Sequence, residues 1–394
     1  MASKSVKIKT KLRKKTVPIF EQRELLGDVF LPGNKYYIIF EHRDKIWILP
    51  YEHIRSGLGM YQPTTKKGII LKKMLPFFAK IKWIRRLIRA EKKQLSLQIE
   101  IQKYLDESIG EGAVYYVAGY MGDFSAEEND KLTLQVYNEN HIITYLKITK
   151  NRKAGERFQE EMKALQTLRD KGVCNIPRIL WKMKNGREIM FAQSTKKSVN
   201  EKVQFVFDRR HTDFVKNMNE ITERTMQYEK TDFYRNVTYV KEQQAQDRDG
   251  RILNRAIRII EKELAGKEKE YGFSHGDYTP WNVYYADGEL QVFDFEYCSF
   301  SKPCYIDIFH YLTQMSLLGC GNDGKQTILL YEKKKELIEK YVHDADFTYM
   351  CYLIDIIGFY KKRTIRRNKV VDKEYGRWIA ILEYLINRWE YRAA

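Results

Sequence analysis

Apolar positions recur along the chain with two periods, and the places where the period changes divide it. Residues 36–40 and 46–49 are compact apolar runs separated by His42, Arg43 and Asp44, a spacing that predicts a hairpin. After Pro76 the period becomes helical. Phe77, Ile81, Ile84 and Ile88 share one face, Trp83 and Leu87 widen it, and Lys80, Lys82, Arg85, Arg86 and Arg89 occupy the rest, which predicts one basic amphipathic helix. Residues 113–118, 132–137 and 142–148 return to strand texture and predict a three-stranded meander. Its first connection carries Gly119, Gly122 and Asp123, and its second carries Asn138, Glu139 and Asn140. A helix over about 156–170 follows, with Phe158, Met162, Leu165 and Leu168 on one side, Gly172 as its stop and Pro177 beyond.

Residues 213–269 predict a long polar helical stretch broken near 247–250, and 273–294 predict strands and loops. Helices fill the remainder, with a basic break at 361–369. No internal repeat is visible. With 394 residues, 43% hydrophobic and 13% aromatic, the chain can bury a core in two or three units. Lys and Arg exceed Asp and Glu by 70 to 52, a net charge of +18 that favours anionic partners. Neither zinc-finger spacing nor an aromatic RNA-binding box accompanies the charge, so no specific nucleic acid is expected. Peripheral contact with an acidic membrane surface is expected through residues 66–93.

The cysteines, Cys174, Cys298, Cys304, Cys320 and Cys351, are odd in number and scattered, which suits reduced thiols in a cytoplasmic protein. The arm at residues 4–15 alternates Lys and Arg with Val6, Ile8 and Leu12 and lacks the apolar core of a secretory signal. The most apolar run, 352–360, contains Asp355 and ends in Lys361, Lys362 and Arg363, too short and too charged to span a bilayer.

Chemistry concentrates in Ser274-His275-Gly276-Asp277-Tyr278-Thr279-Pro280-Trp281-Asn282 and in Phe293-Asp294-Phe295-Glu296. Between them, residues 283–285 and 290–292 predict a second hairpin turning at Asp287-Gly288, which returns Asp294 towards Asn282. Phosphoryl transfer needs such a set: a carboxylate to orient the attacking hydroxyl and take its proton, and hard oxygen ligands to hold Mg2+ on nucleotide phosphates. Asp277 is the candidate base, and Asn282 and Asp294 are the candidate metal ligands. Glu296 is a further candidate metal contact or a locally paired glutamate.

The interval from Asp277 to Asn282 equals that of the protein-kinase catalytic loop. His275-Gly276-Asp277, Asn282 and Asp294-Phe295-Glu296 together resemble the aminoglycoside phosphotransferase and choline kinase family, whose members share the protein-kinase-like fold. The resemblance implies an α+β bilobal architecture, with a small β-rich N-lobe and a larger helical C-lobe. It implies ATP and Mg2+ as cofactors. It also implies Lys147 as phosphate contact, paired with a helix glutamate, Glu161 or its neighbour Glu160. By the same resemblance a glycine loop would span Gly119 and Gly122, Ala192 and Gln193 would lead into the hinge beside adenine, and Asp307 would brace the catalytic loop. Asp307 also reads as a helix N-cap, and His275 as structural.

No Ala-Pro-Glu follows Asp294, which favours a small hydroxyl acceptor over a protein. The expected organisation is a basic N-terminal extension over 1–108, an N-lobe over 109–195, and a helical C-lobe over 196–394 carrying the catalytic loop and acceptor site. Thr279-Pro280-Trp281 and Phe295-Glu296-Tyr297 resemble family members encoded beside bacterial cell-surface glycan genes, which implies a kinase of cell-surface polysaccharide or lipopolysaccharide biosynthesis. The run Asp294-Phe295-Glu296-Tyr297 also resembles choline kinases, so an aminoglycoside- or choline-type acceptor stays open. The glycine loop departs from the kinase pattern, which leaves open an inactive nucleotide-binding scaffold.

Overall fold

The computed structural model describes residues 23–41, 45–61, 66–122, 130–199, 201–243, 246–319, 324–367 and 373–393. The basic arm at 4–15, the turn at His42, Arg43 and Asp44, Asp123 and Cys320 lie outside them. The first half of the chain runs through α1 (Glu24–Val29), β1 (Phe30–Glu41), β2 (Ile46–Pro50), α2 (Ile54–Gly57), α3 (Lys66–Phe78), α4 (Lys82–Leu87), β3 (Glu91–Leu97) and α5 (Ile99–Ile109). It continues with β4 (Tyr116–Met121), β5 (Leu132–Tyr137), β6 (Ile142–Thr149), α6 (Arg152–Asp170), β7 (Ile179–Asn185) and β8 (Glu188–Ser194).

All eight of these strands form one antiparallel sheet in the order β3-β1-β2-β4-β5-β6-β8-β7. The first hairpin aligns Phe40 with Trp47, and the meander aligns Leu134 with Leu146. The seam between the first hundred residues and the rest is itself a ladder: β2 pairs with β4, setting Ile48 opposite Gly119. On one face of the sheet, Leu25 and Leu26 of α1 and Ile101 and Leu105 of α5 pack with Val117, Leu134 and Leu146. On the other, Ile54 of α2 and Leu75 of α3 pack with Trp47, Leu49, Ala118 and Tyr137. Both layers therefore draw on both sides of the seam.

The single basic helix expected after Pro76 is two helices. Pro76 stands inside α3, where it removes one helical hydrogen bond, and the helix closes within a turn of it. Ile81 is extended before α4, and the Arg85 guanidinium donates to Ala79 O at 2.8 Å across the break. At α6 the carboxamide of Asn151 accepts from the amides of Lys153 and Ala154, so the helix begins several residues earlier than its apolar stripe indicates.

The second half comprises α7 (Arg209–Thr222), β9 (Arg224–Gln227), α8 (Asp232–Glu242), α9 (Arg248–Leu264), β10 (Glu268–Ser274), β11 (Val283–Ala286), β12 (Glu289–Val292), β13 (Ser299–Pro303), α10 (Ile306–Gly319), α11 (Gly324–Glu339), α12 (Ala345–Arg367) and α13 (Lys373–Ala393). The polar helical stretch expected over 213–269 does break before α9, at Asp247, but it is broken earlier as well, with β9 between α7 and α8. The chain turns extended at Glu223, and β9 takes up pairing with β10, a tertiary partner that helical periodicity cannot register. The basic break expected at 361–369 is also displaced, because α12 continues through Lys361 to Arg367. The helices enclose one core in which Phe273, Tyr278 and Phe295 of the loop region meet Phe309, Tyr349 and Trp378. The architecture is α+β and bilobal, β-rich first and helical second. Among the described residues no helix is long and apolar enough to cross a membrane.

Candidate active site

Strand alternation sends Leu146 and Ile148 of β6 into the apolar layer and Lys147 to the opposite face. There the Lys147 ammonium donates to Glu161 Oε1 and Oε2 at 2.7 and 2.8 Å and to Asp294 Oδ1 at 2.7 Å. Glu161 is wholly buried on α6, whereas Glu160 beside it faces out. The Glu161 carboxylate also accepts from Gln193 Nε2 at 2.9 Å and from the Phe295 amide at 3.3 Å, so one side chain joins β6, β8, α6 and the Asp294 segment. Burial works against charge on Lys147, but Asp294 and Glu161 outweigh it and hold the ammonium pKa well above its usual value. Burial also pushes Asp294 up, yet Lys147 and Lys131 more than reverse this and keep it below the ordinary carboxylate range. The Asp294 backbone sits at φ +70°, a left-handed conformation costly for a residue with a Cβ.

The catalytic-loop segment leaves β10 at Ser274. Gly276 has φ +76°, and a Cβ there would lie 2.2 Å from Tyr297 O, so both conformation and space require glycine. Asp307, the second residue of α10, accepts from Ser274 Oγ at 2.9 Å, from the His275 amide at 2.7 Å and from the Gly276 amide at 3.3 Å. His275 is fully buried. Its Nδ1 accepts from the Asp277 amide at 3.2 Å while Nε2 lies 3.1 Å from Phe293 O, an arrangement of the neutral ring, and burial lowers its pKa accordingly.

Asp277 is held from two sides. Asn282 Nδ2 donates to its Oδ2 at 2.8 Å and to its backbone O at 2.9 Å, and His310 Nε2 lies 3.5 Å from its Oδ1. The hairpin β11–β12 turns at Asp287 and Gly288, both at positive φ as a type I′ turn requires. Its open end is closed by the Phe293 amide donating to Asn282 O at 3.1 Å, which sets Asp294 next to Asn282.

The segment containing these groups, residues 212–315, matches the sequence family described as phosphotransferase enzymes. No curated protein matches the chain. Among solved structures, it is similar to amicoumacin kinase hAmiN, at 14% identity over 70% of this chain and 86% of that one, TM-score 0.42. It is also similar to aminoglycoside 2'-phosphotransferase-IIIa in its GDP complex, at 13% identity over 74% and 98% of the chains, TM-score 0.44. An aminoglycoside phosphotransferase from Streptomyces rimosus aligns at 12% identity over 73% and 99%, TM-score 0.35.

The segment 212–315 meets the sheet across a cleft of about 1480 Å³, lined by Lys147, Gln193, Ser194, Thr195, Asn282, Asp294 and Glu296 among others. Two residues assigned to the cleft from sequence are elsewhere. Gly119 lies inside β4, with a hypothetical Cβ only 3.3 Å from Ile48, so sheet packing rather than a phosphate loop requires its glycine. Ala192 is buried in β8 opposite Leu146, and the chain reaches the cleft instead at Gln193, Ser194 and Thr195. Gly122, at the end of β4, does line the cleft.

Three residues of the site carry no motif. Lys131, just before β5, pairs with Glu296, and burial pushes its ammonium down to about 8. The Lys197 ammonium lies 4.7 Å from the centre of the Phe293 ring and 5.9 Å from that of Tyr284, with burial again pushing it to about 8. His310 is buried, with its Nε2 3.5 Å from Asp277 Oδ1. Its position about one turn into an apolar helix gives no sequence signal.

The donors fit a hard divalent cation. Asn282 spends its amide nitrogen on Asp277, which leaves Oδ1 for a metal, and Asp294 spends only Oδ1 on Lys147. No group of three or more His, Cys, Asp or Glu is assembled for a metal among the described residues, so further ligands would have to come from nucleotide oxygens and water.

Proposed function

We propose that the chain is an ATP-dependent, Mg2+-requiring phosphotransferase that phosphorylates a hydroxyl of a small molecule or glycan. The observation that carries this reading is a pair of contacts, Lys147 with Asp294 at 2.7 Å and Asn282 with Asp277 at 2.8 and 2.9 Å, linked by the backbone bond from the Phe293 amide to Asn282 O, with Lys147, Asn282 and Asp294 lining the cleft. Asp277, fixed by Asn282, orients the acceptor hydroxyl and takes its proton as the oxygen bonds to the γ-phosphorus and the bond to the ADP oxygen breaks. Lys147, held by Glu161, contacts the α- and β-phosphates. Asn282 and Asp294 hold Mg2+, which when bound neutralises charge on the phosphate oxygens. Lys131 lines the same cleft as Asp294 and, once it leaves Glu296, adds a cation for the phosphates.

Charge supports a choice among acceptors. The cleft lining carries eight Lys and Arg, including Lys45, Arg55, Lys72 and Lys73, against Glu201, Asp294 and Glu296. A polycationic aminoglycoside or a choline headgroup is repelled there, while a neutral or anionic sugar is not. A glycan of cell-surface polysaccharide or lipopolysaccharide assembly has that chemistry.

The test is ADP release from ATP with a panel of neutral and anionic sugars. Asp277→Asn should lower turnover at least a hundredfold with little change in ATP affinity, because the phosphate and metal groups are untouched. Unchanged turnover in that variant contradicts the assignment. ATP binding with no acceptor-dependent ADP release favours the inactive scaffold.

A further inference from the structure

We propose that α3 and α4 form a docking surface for an anionic lipid bilayer, placed so that the mouth of the cleft faces the headgroups. The inner side of this pair is accounted for, since Leu71, Leu75, Ala79 and Ile88 pack on the sheet. The outer side is not. Ile70, Phe77, Trp83 and Leu87 are 61%, 59%, 63% and 72% exposed, far more than isolated surface apolar residues require, and α4 buries no residue at all. Ile70, Met74 and Phe77 share one face of α3, and Trp83 and Leu87 one face of α4, so the exposure is organised into two adjoining stripes.

Cations accompany the stripes. From residue 53 to residue 90 the chain has ten Lys and Arg and no Asp or Glu. Lys73, Lys80, Lys82, Arg86 and Arg89 are exposed beside the apolar side chains. A soluble polyanion would answer the charge but leave the large apolar groups in water. An anionic bilayer answers both, taking the apolar groups at the headgroup boundary and the cations at the phosphates. The break between the helices is stiffened by Arg85 on Ala79 O and by the Ala90 amide donating to Arg85 O at 2.8 Å, so the surface is built in advance of docking. The basic arm at residues 4–15 has the same sign and is electrostatically unsuited to cover it.

The same helix rims the cleft. Ile69, Lys73, Met74 and Phe77 line its mouth, so a molecule docked through α3 and α4 opens its cleft at the lipid surface. On the phosphotransferase reading, the acceptor hydroxyl then belongs to a membrane-anchored molecule and reaches Asp277 without leaving the headgroup layer.

Co-sedimentation of the full chain with vesicles tests this. Binding to phosphatidylcholine vesicles containing phosphatidylglycerol should exceed binding to pure phosphatidylcholine at least tenfold and weaken with added salt. Trp83→Ser with Leu87→Ser, and separately Lys82→Glu with Arg86→Glu, should each cut it at least tenfold with melting temperature and ATP affinity unchanged, since all four side chains are exposed and outside the cleft. Equal binding to both vesicle types, no binding, or variants that bind as the wild type does would overturn the proposal. Vesicle binding by a protein that fails to bind ATP would leave the docking surface standing and remove the phosphotransferase reading.

Discussion

Asp294 and Lys147 are each placed where burial disfavours charge; Asp294 and Glu161 keep Lys147 charged, and Lys147 with Lys131 keeps Asp294 charged. A single buried partner removed from such a trio leaves an uncompensated charge, which costs about 3–5 kcal/mol. Lys147→Met should therefore lower stability by that order in chemical denaturation. An unchanged denaturation midpoint would show that the trio does not hold the fold together.

His211 supplies an acid-side counterpart. Burial among Phe207, Tyr278 and Tyr311 pushes it down to about 4, against the opposing pull of Asp208. An unfolded histidine binds its proton near pH 6.5, so between pH 6.5 and 4 the unfolded chain holds a proton that the folded chain refuses. Stability should fall over that window by up to about 3 kcal/mol, and His211→Gln should flatten the slope in melts taken across it. An unaltered slope in the variant would assign the loss to other groups. Neither His211 nor His310 was legible in the sequence, because the burial of His211 depends on Tyr278 and Tyr311 as well as on nearby Phe207, and His310 reaches Asp277, 33 residues earlier in the chain.

The catalytic loop is the element whose sequence says most about its structure. The interval from Asp277 to Asn282 and the Asp287-Gly288 turn are local constraints, and the backbone bond from Phe293 to Asn282 follows from them. The glycine loop says least, since Gly119 reads as a turn residue and is a strand residue crowded by Ile48. Pro76 misleads in the same way: a proline that often opens helices here nearly closes one. Gly276 is where the loop is most exposed to substitution. Gly276→Ala must move either the loop or Tyr297 O, and the strained backbone alone costs about 1–3 kcal/mol. Turnover should fall more than tenfold and the melting temperature should drop, and an alanine variant with native activity would show that the loop relaxes freely.

At the scale of the whole molecule, sequence reading drew a line near residue 108 that the sheet does not observe. Helical and strand periods report which face of an element is apolar, not which strand edge it joins, so the pairing of β2 with β4 had no signature. Val117 and Ala118 are buried only because α1, α5, α2 and β2 lie against them or beside them. A chain lacking residues 1–108 should consequently expose this edge and both apolar layers and give no cooperative melt. A soluble fragment with a sharp transition would show that the lobes fold without their extension. The bilobal plan itself was legible through the resemblance that His275-Gly276-Asp277, Asn282 and Asp294-Phe295-Glu296 carry, not through any period of the apolar positions.

The central claim is that the cleft between sheet and helices is a metal–nucleotide site organised by Asp294. Calorimetric titration of AMP-PNP into the wild type and Asp294→Ala, each with and without Mg2+, tests it most directly. The account predicts Mg2+-dependent binding by the wild type and at least a hundredfold weaker binding by the variant, with no remaining Mg2+ dependence. Equal affinity in the two proteins, or affinity indifferent to Mg2+ in the wild type, would contradict it.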